Sequence, residues 1–269
     1  MDAISLGPLL LPYSRLPGVL ALILLLLVSE ILDKKHPGLA RWGWMTAVVG
    51  GLGGRLAFAA MTPTAYVDEP WTLAYFWQPG YSWWGALLAA VLFSVWYWRK
   101  HPALRTSGLI LLGASSLVGL LTLAVLPRTD SDEQLPELLL HDLDSEEVNL
   151  SSYQGQPLVV NLWATWCPPC RREMPMLESY ENDERLQVVL VNQGESLLAV
   201  TNYLQDEQLS FTNVLLDPAQ KTMNEYSAPG LPATLFYSAE GKLVDRHFGE
   251  LSRGQVEEFA RRHSQGLDK

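Results

Sequence analysis

Long apolar stretches set the first half of this 269-residue chain apart from the second half. Up to residue 127, four runs are apolar and long enough to cross a bilayer as helices, which takes about 20 residues. They cover residues 16–32, 42–61, 81–98 and 108–126. The pattern predicts a membrane domain of about four helices over residues 1–127. An alternative for the first run is a cleaved signal peptide, although that run lacks a basic start and a small-residue cleavage site.

Strand and helix patterns alternate in the second half, after a short polar linker at residues 128–134. Unbroken apolar, β-branched runs predict strands, and apolar residues at helical spacing predict the helices between them. The predicted strands are 158–163, 186–193, 232–238 and 242–249, and the predicted helices are 168–182, 196–207 and 253–263. This alternation implies an α/β layer fold over residues 135–269.

Charge is distributed unevenly between the two halves. Residues 1–129 carry five acids and nine Lys or Arg, a net of +4, whereas residues 130–269 carry 24 acids and ten Lys or Arg, a net of −14. A nucleic-acid partner is not expected, because phosphates require a basic surface.

The orientation of the membrane domain follows from its loops. Lys and Arg lie in the loops after the first and third runs, while residues 62–80 contain neither and carry Asp68 and Glu69. Basic loops stay in the cytoplasm, so both chain ends are expected outside it, in the periplasm of a bacterium with an inner membrane. Eight of the ten tryptophans belong to this half and cluster near the ends of the runs, as in an interfacial belt.

The segments "ISLGPLLLPYSRLPGVLALILLLL", "GGLGGRLAFAAM" and "FWQPGYSWWGALLAAV" resemble the front half of the prolipoprotein diacylglyceryl transferase family. The resemblance implies a related membrane fold and makes Arg55 a candidate lipid contact. Trp84 stands where the family has a histidine, and the family's later arginine, asparagine and glutamate motif is absent. Alternatively, Arg55 snorkels or pairs with Glu30 and holds the helices together.

The only two cysteines, Cys167 and Cys170, lie where a predicted strand meets a predicted helix. A thiolate at the N-terminus of a helix is stabilised by unpaired N–H groups and the helix dipole, so Cys167 is the candidate attacking sulfur. Cys170, one turn further on, would resolve the mixed disulfide. A zinc site needs two more ligands, and a purely structural disulfide would close too small a loop to add much stability.

The segments "VVNLWATWCPPCRREMP" and "APGLPATLFYSAEGKLV" closely resemble the membrane-tethered, thioredoxin-fold thiol:disulfide reductases of the TlpA/ResA-like family. The resemblance implies that Pro232 is a cis-proline lying against the sulfurs, that Trp166 is the aromatic residue before the first cysteine, and that Glu173 is an acid that handles protons. The alternative for Glu173 is a plain surface glutamate. Asn161 stands where ordinary thioredoxins have a buried aspartate.

These observations lead us to expect a membrane-anchored periplasmic enzyme that reduces disulfides of exported proteins. Its only redox group would be the Cys167–Cys170 pair, with no other cofactor. Because residues 1–166 contain no cysteine, reducing power would come from a separate membrane electron donor. The alternatives are a thiol oxidase or isomerase, a redox protein serving lipoprotein precursors through a lipid-binding membrane domain, and a non-catalytic chaperone module.

Overall fold

The computed structural model describes residues 3–6, 9–12, 16–67, 70–76, 78–125 and 133–263. The chain divides into two compact units, one built mainly from residues 2–129 and the other mainly from residues 130–269. Residues 126–132, which include most of the predicted linker, lie outside the described residues. At the end of that linker, the amide of Leu243 donates a hydrogen bond to the carbonyl of Glu133 at 2.8 Å.

The first unit is a helical bundle preceded by a short hairpin. Its elements are β1 (Ala3–Leu6), β2 (Leu9–Pro12), α1 (Leu16–Asp33), α2 (Leu39–Met61), α3 (Thr64–Val67), α4 (Trp83–Lys100) and α5 (Arg105–Val125). The four long helices confirm the expected count. Among the described residues, three stretches are both long and apolar enough to span a membrane: Leu16–Asp33, Leu39–Met61 and Pro102–Val125. The helix α4 is the exception because it carries tryptophans at both ends and Arg99 and Lys100 in its last turn.

Small residues allow α2 and α4 to approach closely. A Cβ atom added to Gly53 would lie 2.2 Å from the Cβ of Ala89, and one added to Gly85 would lie 2.2 Å from the Cβ of Ala57. Many large apolar side chains of this unit point outward, among them Leu27, Leu56 and Leu92. Small residues between helices and apolar residues outside are the arrangement expected of helices surrounded by lipid.

The second unit is an α/β domain around one seven-stranded sheet. Its strands are β3 (Leu139–Asp142), β4 (Glu147–Asn149), β5 (Leu158–Trp163), β6 (Gln187–Gln193), β7 (Val214–Asp217), β8 (Ala233–Tyr237) and β9 (Leu243–Phe248). They are ordered β4-β3-β7-β6-β5-β8-β9. The central strand β5 is parallel to β6 and antiparallel to β8. The helices are α6 (Pro168–Glu178), α7 (Leu197–Asp206), α8 (Lys221–Glu225) and α9 (Arg253–His263).

Both faces of this sheet are covered, which explains the unbroken apolar runs of its central strands. In β5, Val159 and Trp163 belong to a core shared with α6, α7 and α9. Leu158, Val160 and Leu162 belong to a second core on the opposite face. Asn161 alternates with them and therefore points toward the face on which α6 packs. The α/β layer fold expected over this part of the chain is confirmed.

Candidate functional site

The two cysteines lie at the junction between β5 and α6. Cys167 is the N-cap of α6, and its Sγ atom accepts a hydrogen bond from the amide of Cys170 at 3.3 Å. Pro168 occupies the first helical position, where its missing N–H costs no helical hydrogen bond. The two sulfurs form a disulfide, and both residues are buried in this oxidised state. The helix therefore directs its positive end at the sulfur of Cys167, as the sequence predicts.

Glu173 lies in the interior, one turn beyond Cys170 along α6, and its side chain is almost fully enclosed. One carboxylate oxygen accepts a hydrogen bond from the side-chain amide of Asn161 at 2.7 Å, and the other accepts one from the backbone amide of Leu251 at 2.7 Å. Loss of hydration raises the pKa of Glu173 to about 8, even though both hydrogen bonds favour its charged form. The fold therefore provides a carboxyl group that exchanges a proton near neutral pH.

Asn161 links this acid to the strand that follows the proline. Its side-chain amide also donates to the hydroxyl of Thr234 at 3.1 Å, while its own carbonyl oxygen is buried and has no hydrogen-bond partner among the residues that the structure describes. Pro232 directly precedes β8, and the peptide bond from Leu231 to Pro232 is cis. Because Leu162 pairs with Ala233, Pro232 lies near the end of β5 from which the chain runs to Cys167.

Trp166 differs from the rest of the site because its side chain is 66% exposed. It directly precedes the buried Cys167. An exposed indole beside a reactive sulfur offers an apolar surface to an incoming peptide.

Sequence reasoning missed Glu195, which lies in the loop between β6 and α7. Its carboxylate accepts hydrogen bonds from the backbone amide of Thr165 at 2.7 Å and from the Thr165 hydroxyl at 2.5 Å. It also accepts one from the side-chain amide of Asn192 at 2.7 Å. The signal that could have found Glu195 is its position just after the predicted strand 186–193, since the carboxyl ends of parallel strands meet at one edge of a sheet.

The candidate lipid contact, Arg55, is buried in the helical unit and lies apart from the cysteines in the sequence. Its guanidinium donates hydrogen bonds to the backbone carbonyls of Thr72 at 2.9 Å, Gly80 at 3.0 Å and Leu73 at 3.3 Å. A side chain at Gly80 would collide with this guanidinium. These contacts tie α2 to the loop before α4, which agrees with a role in holding the bundle together.

Two family models match the chain. Residues 130–261 match the Redoxin family, and residues 13–122 match the prolipoprotein diacylglyceryl transferase family. The thiol-disulfide oxidoreductase ResA of Halalkalibacterium halodurans is 32% identical over 130 residues, which cover 47% of this chain and 73% of that protein. ResA of Bacillus subtilis is 31% identical over 127 residues, which cover 46% of this chain and 70% of that protein.

Among solved structures, StoA from Bacillus subtilis aligns with a TM-score of 0.40 at 23% identity. The alignment covers 46% of this chain and 98% of StoA.

The α/β domain, its cysteine pair, the Redoxin match and the two ResA relatives define a thioredoxin-fold enzyme that exchanges disulfides. The chain belongs to the ResA-like thiol:disulfide oxidoreductases, with a prolipoprotein diacylglyceryl transferase-like domain in front of the redox domain. Its substrates are therefore proteins that carry disulfides, and its helical unit associates it with a membrane.

Proposed function

We propose that this protein is a membrane-anchored periplasmic reductase that opens disulfides in exported proteins. The observation that carries the proposal is the position of Cys167 at the N-cap of α6, with the interior acid Glu173 two turns away on the same helix. A helix N-terminus favours the thiolate, and the thiolate is the form that attacks a disulfide.

The reaction starts from the reduced enzyme. The Cys167 thiolate attacks one sulfur of the substrate disulfide, that bond breaks, and the other substrate sulfur leaves as a thiolate. The Cys170 thiol then loses its proton and attacks the sulfur of Cys167 in the mixed disulfide. This step releases the second substrate thiolate and forms the Cys167–Cys170 disulfide. Two electrons pass from enzyme to substrate, and the substrate thiolates take up two protons.

Glu173 is the group we propose to take the proton from Cys170. A carboxyl group with a pKa of about 8 is partly ionised near neutral pH, so it can accept a proton and later return it. Asn161 orients the carboxylate through its 2.7 Å hydrogen bond. Trp166 and Pro232 provide the surface on which the extended substrate segment lies.

The distribution of basic residues supports the proposed location. Lys34 and Lys35 lie between α1 and α2, and basic residues lie at the facing ends of α4 and α5, namely Arg99, Lys100 and Arg105. The described residues between α2 and α4 carry no Lys or Arg. This arrangement favours a cytoplasmic side for both basic loops and a periplasmic side for the redox domain.

A separate membrane protein is the proposed source of electrons. A thiol relay across the bilayer needs cysteines within the membrane, and this sequence contains only the two cysteines of the redox site. The enzyme would therefore be reduced by a partner after each turnover.

An insulin-reduction assay on the full chain in lipid nanodiscs tests the direction of electron flow. We expect catalysed reduction with a thiol donor, a reduction potential closer to that of thioredoxin than to that of strong oxidants, and loss of turnover in Cys167→Ser. A potential near about −120 mV, as in strong periplasmic oxidants, together with no reductase activity, would instead favour the oxidase alternative.

A second candidate function is service to lipoprotein precursors, and it is favoured by the match of residues 13–122 to the diacylglyceryl transferase family. In this proposal Arg55 and the segment before α4 whose carbonyls it binds contact lipid, and they also stabilise the bundle. Replacing Arg55 by Gln in cells, while following lipoprotein processing and the amount of protein in the membrane, tests the idea. Normal processing at normal protein levels would leave the helical unit as an anchor alone.

A further inference from the structure

Thr165, two residues before Cys167, is held by a carboxylate from a different part of the chain. Its backbone N–H and its side-chain hydroxyl both donate hydrogen bonds to the carboxylate of Glu195, at 2.7 and 2.5 Å. The side chain of Glu195 is itself fixed by the amide of Asn192 at 2.7 Å. Asn192 is fully buried. The carboxylate therefore ties the segment that carries the attacking sulfur to a rigid point of the core.

The sheet register explains why these residues meet. Trp163, the last residue of β5, pairs with Asn192 near the end of β6. The two strands are parallel, so the loop that carries Thr165 and the loop that carries Glu195 leave the sheet at the same edge. A local sequence motif could not produce this contact, because 30 residues separate the two partners.

We propose that Glu195 is a positioning residue of the redox site: it fixes the segment from Thr165 to Cys167, and its negative charge opposes ionisation of the Cys167 thiol. Between the clamped Thr165 and Cys167 lies Trp166, whose side chain is 66% exposed. Loss of the clamp would therefore disturb both the nucleophile and the surface beside it. The inference rests on the proposed role of Cys167 as the attacking sulfur.

The effect of charge can be separated from the effect of position. Two residues of chain span at most about 7 Å, and the hydrogen bond to Thr165 and the side chain of Cys167 together add roughly 6 Å, so the carboxylate lies within about 13 Å of the sulfur. At that separation a negative charge should raise the pKa of a thiol by about half a unit to one unit. Glutamine at position 195 can still accept from the Thr165 amide and can donate to its hydroxyl, so Glu195→Gln removes the charge and keeps the clamp. Glu195→Ala removes both.

Glu178 provides a matched control in the same domain. Its carboxylate accepts hydrogen bonds from the backbone amide of Ser210 at 2.6 Å and from the Ser210 hydroxyl at 3.2 Å, the same pair of groups that Glu195 holds on Thr165. It lies 11 residues after Cys167 along α6, which is roughly 16 Å of helix. Glu178→Ala therefore breaks a comparable loop contact far from the sulfurs.

The test measures the reduced full chain in detergent. Iodoacetamide alkylation is followed from pH 5 to 9 with mass spectrometry to identify the labelled cysteine, and exchange with a disulfide-containing peptide is timed. We expect Glu195→Gln to lower the pKa of Cys167 by about 0.5 to 1 while the exchange rate stays within about threefold. We expect Glu195→Ala to slow exchange about tenfold and Glu178→Ala to change neither quantity.

An unchanged Cys167 pKa in Glu195→Gln would overturn the inference, and so would equal slowing in Glu195→Ala and Glu178→Ala. The first result would leave the proposed reductase mechanism intact. Alkylation of Cys170 in place of Cys167 would overturn that mechanism and the inference with it.

Discussion

Among single residues, Glu173 shows most clearly how the fold creates chemistry. In water a glutamate is charged at neutral pH, but here desolvation raises its pKa to about 8. The spacing Cys-x-x-Cys-x-x-Glu placed this residue near the sulfurs, yet an exposed first-turn glutamate would have the same spacing. In the folded domain its carboxylate accepts a hydrogen bond from the backbone amide of Leu251, 78 residues away in the sequence, and no local pattern predicts that contact. Glu195 escaped prediction for the same reason, because its partner is set by strand register.

Replacing Glu173 by Gln should change how stability depends on pH. In the oxidised protein the folded state keeps the Glu173 proton up to a pH of about 8, whereas the unfolded chain loses it near 4.5. Raising the pH between these values therefore favours unfolding, by up to about 1.4 kcal/mol per pH unit from this one group. In Glu173→Gln that loss should disappear.

The free energy of unfolding of the oxidised redox domain is measured in urea at pH 5 and at pH 8, with protease cleavage of that domain as the readout. The loss of stability between the two pH values is then compared for the wild type and Glu173→Gln. Glu147→Gln, a change at an exposed position of β4, is the control and should keep the wild-type loss. An equal loss in Glu173→Gln and in the wild type would show that Glu173 does not carry the effect.

At the scale of elements, the sequence predicts those with strong periodicity. The predicted strand 158–163 coincides with β5, and the predicted closing helix 253–263 coincides with α9. The strands β3, β4 and β7 and the helix α8 were missed because each contains only three to five residues, too few for a period to appear. The apolar pattern of the long runs does not show which helices are neighbours, and the structure brings α2 and α4 together at Gly53 and Gly85.

Two glycines of α2 allow a matched test of that packing. A Cβ at Gly53 would lie 2.2 Å from the Cβ of Ala89, whereas a Cβ at Gly51 would meet no atom within 4 Å. Gly53→Ala should therefore destabilise the bundle by about 1 to 3 kcal/mol through overpacking. Gly51→Ala should be neutral or slightly stabilising, because alanine favours the helix.

The melting temperature of each variant in the same detergent measures the difference. Equal melting temperatures for the two variants would contradict the close approach of α2 and α4.

The whole molecule joins a helical membrane unit to an acidic redox domain. The positions of the basic loops, rather than the fold of either unit, carry the proposed orientation. The helix α4 has the length of a span but a lower hydropathy than α1 and α5. The proposed orientation requires α4 to cross the membrane, so the number of crossings is the feature to test.

Cysteine labelling of intact cells provides that test. Single cysteines introduced at Lys35 and Arg99, in a chain whose own cysteines are replaced by serine, should resist a membrane-impermeant thiol reagent. A cysteine introduced at Ser152, in the redox domain, should react with it. Labelling at Lys35 together with protection at Ser152 would reverse the proposed orientation.

The most direct test of the central claim is capture of substrates by the variant Cys170→Ser in living cells. Without Cys170 the mixed disulfide between Cys167 and its substrate cannot be resolved, so it should accumulate. We predict adducts with exported proteins that disappear on reduction and are absent from the double variant Cys167→Ser, Cys170→Ser. Adducts equal to those of the double variant, or adducts with cytosolic proteins alone, would contradict the account.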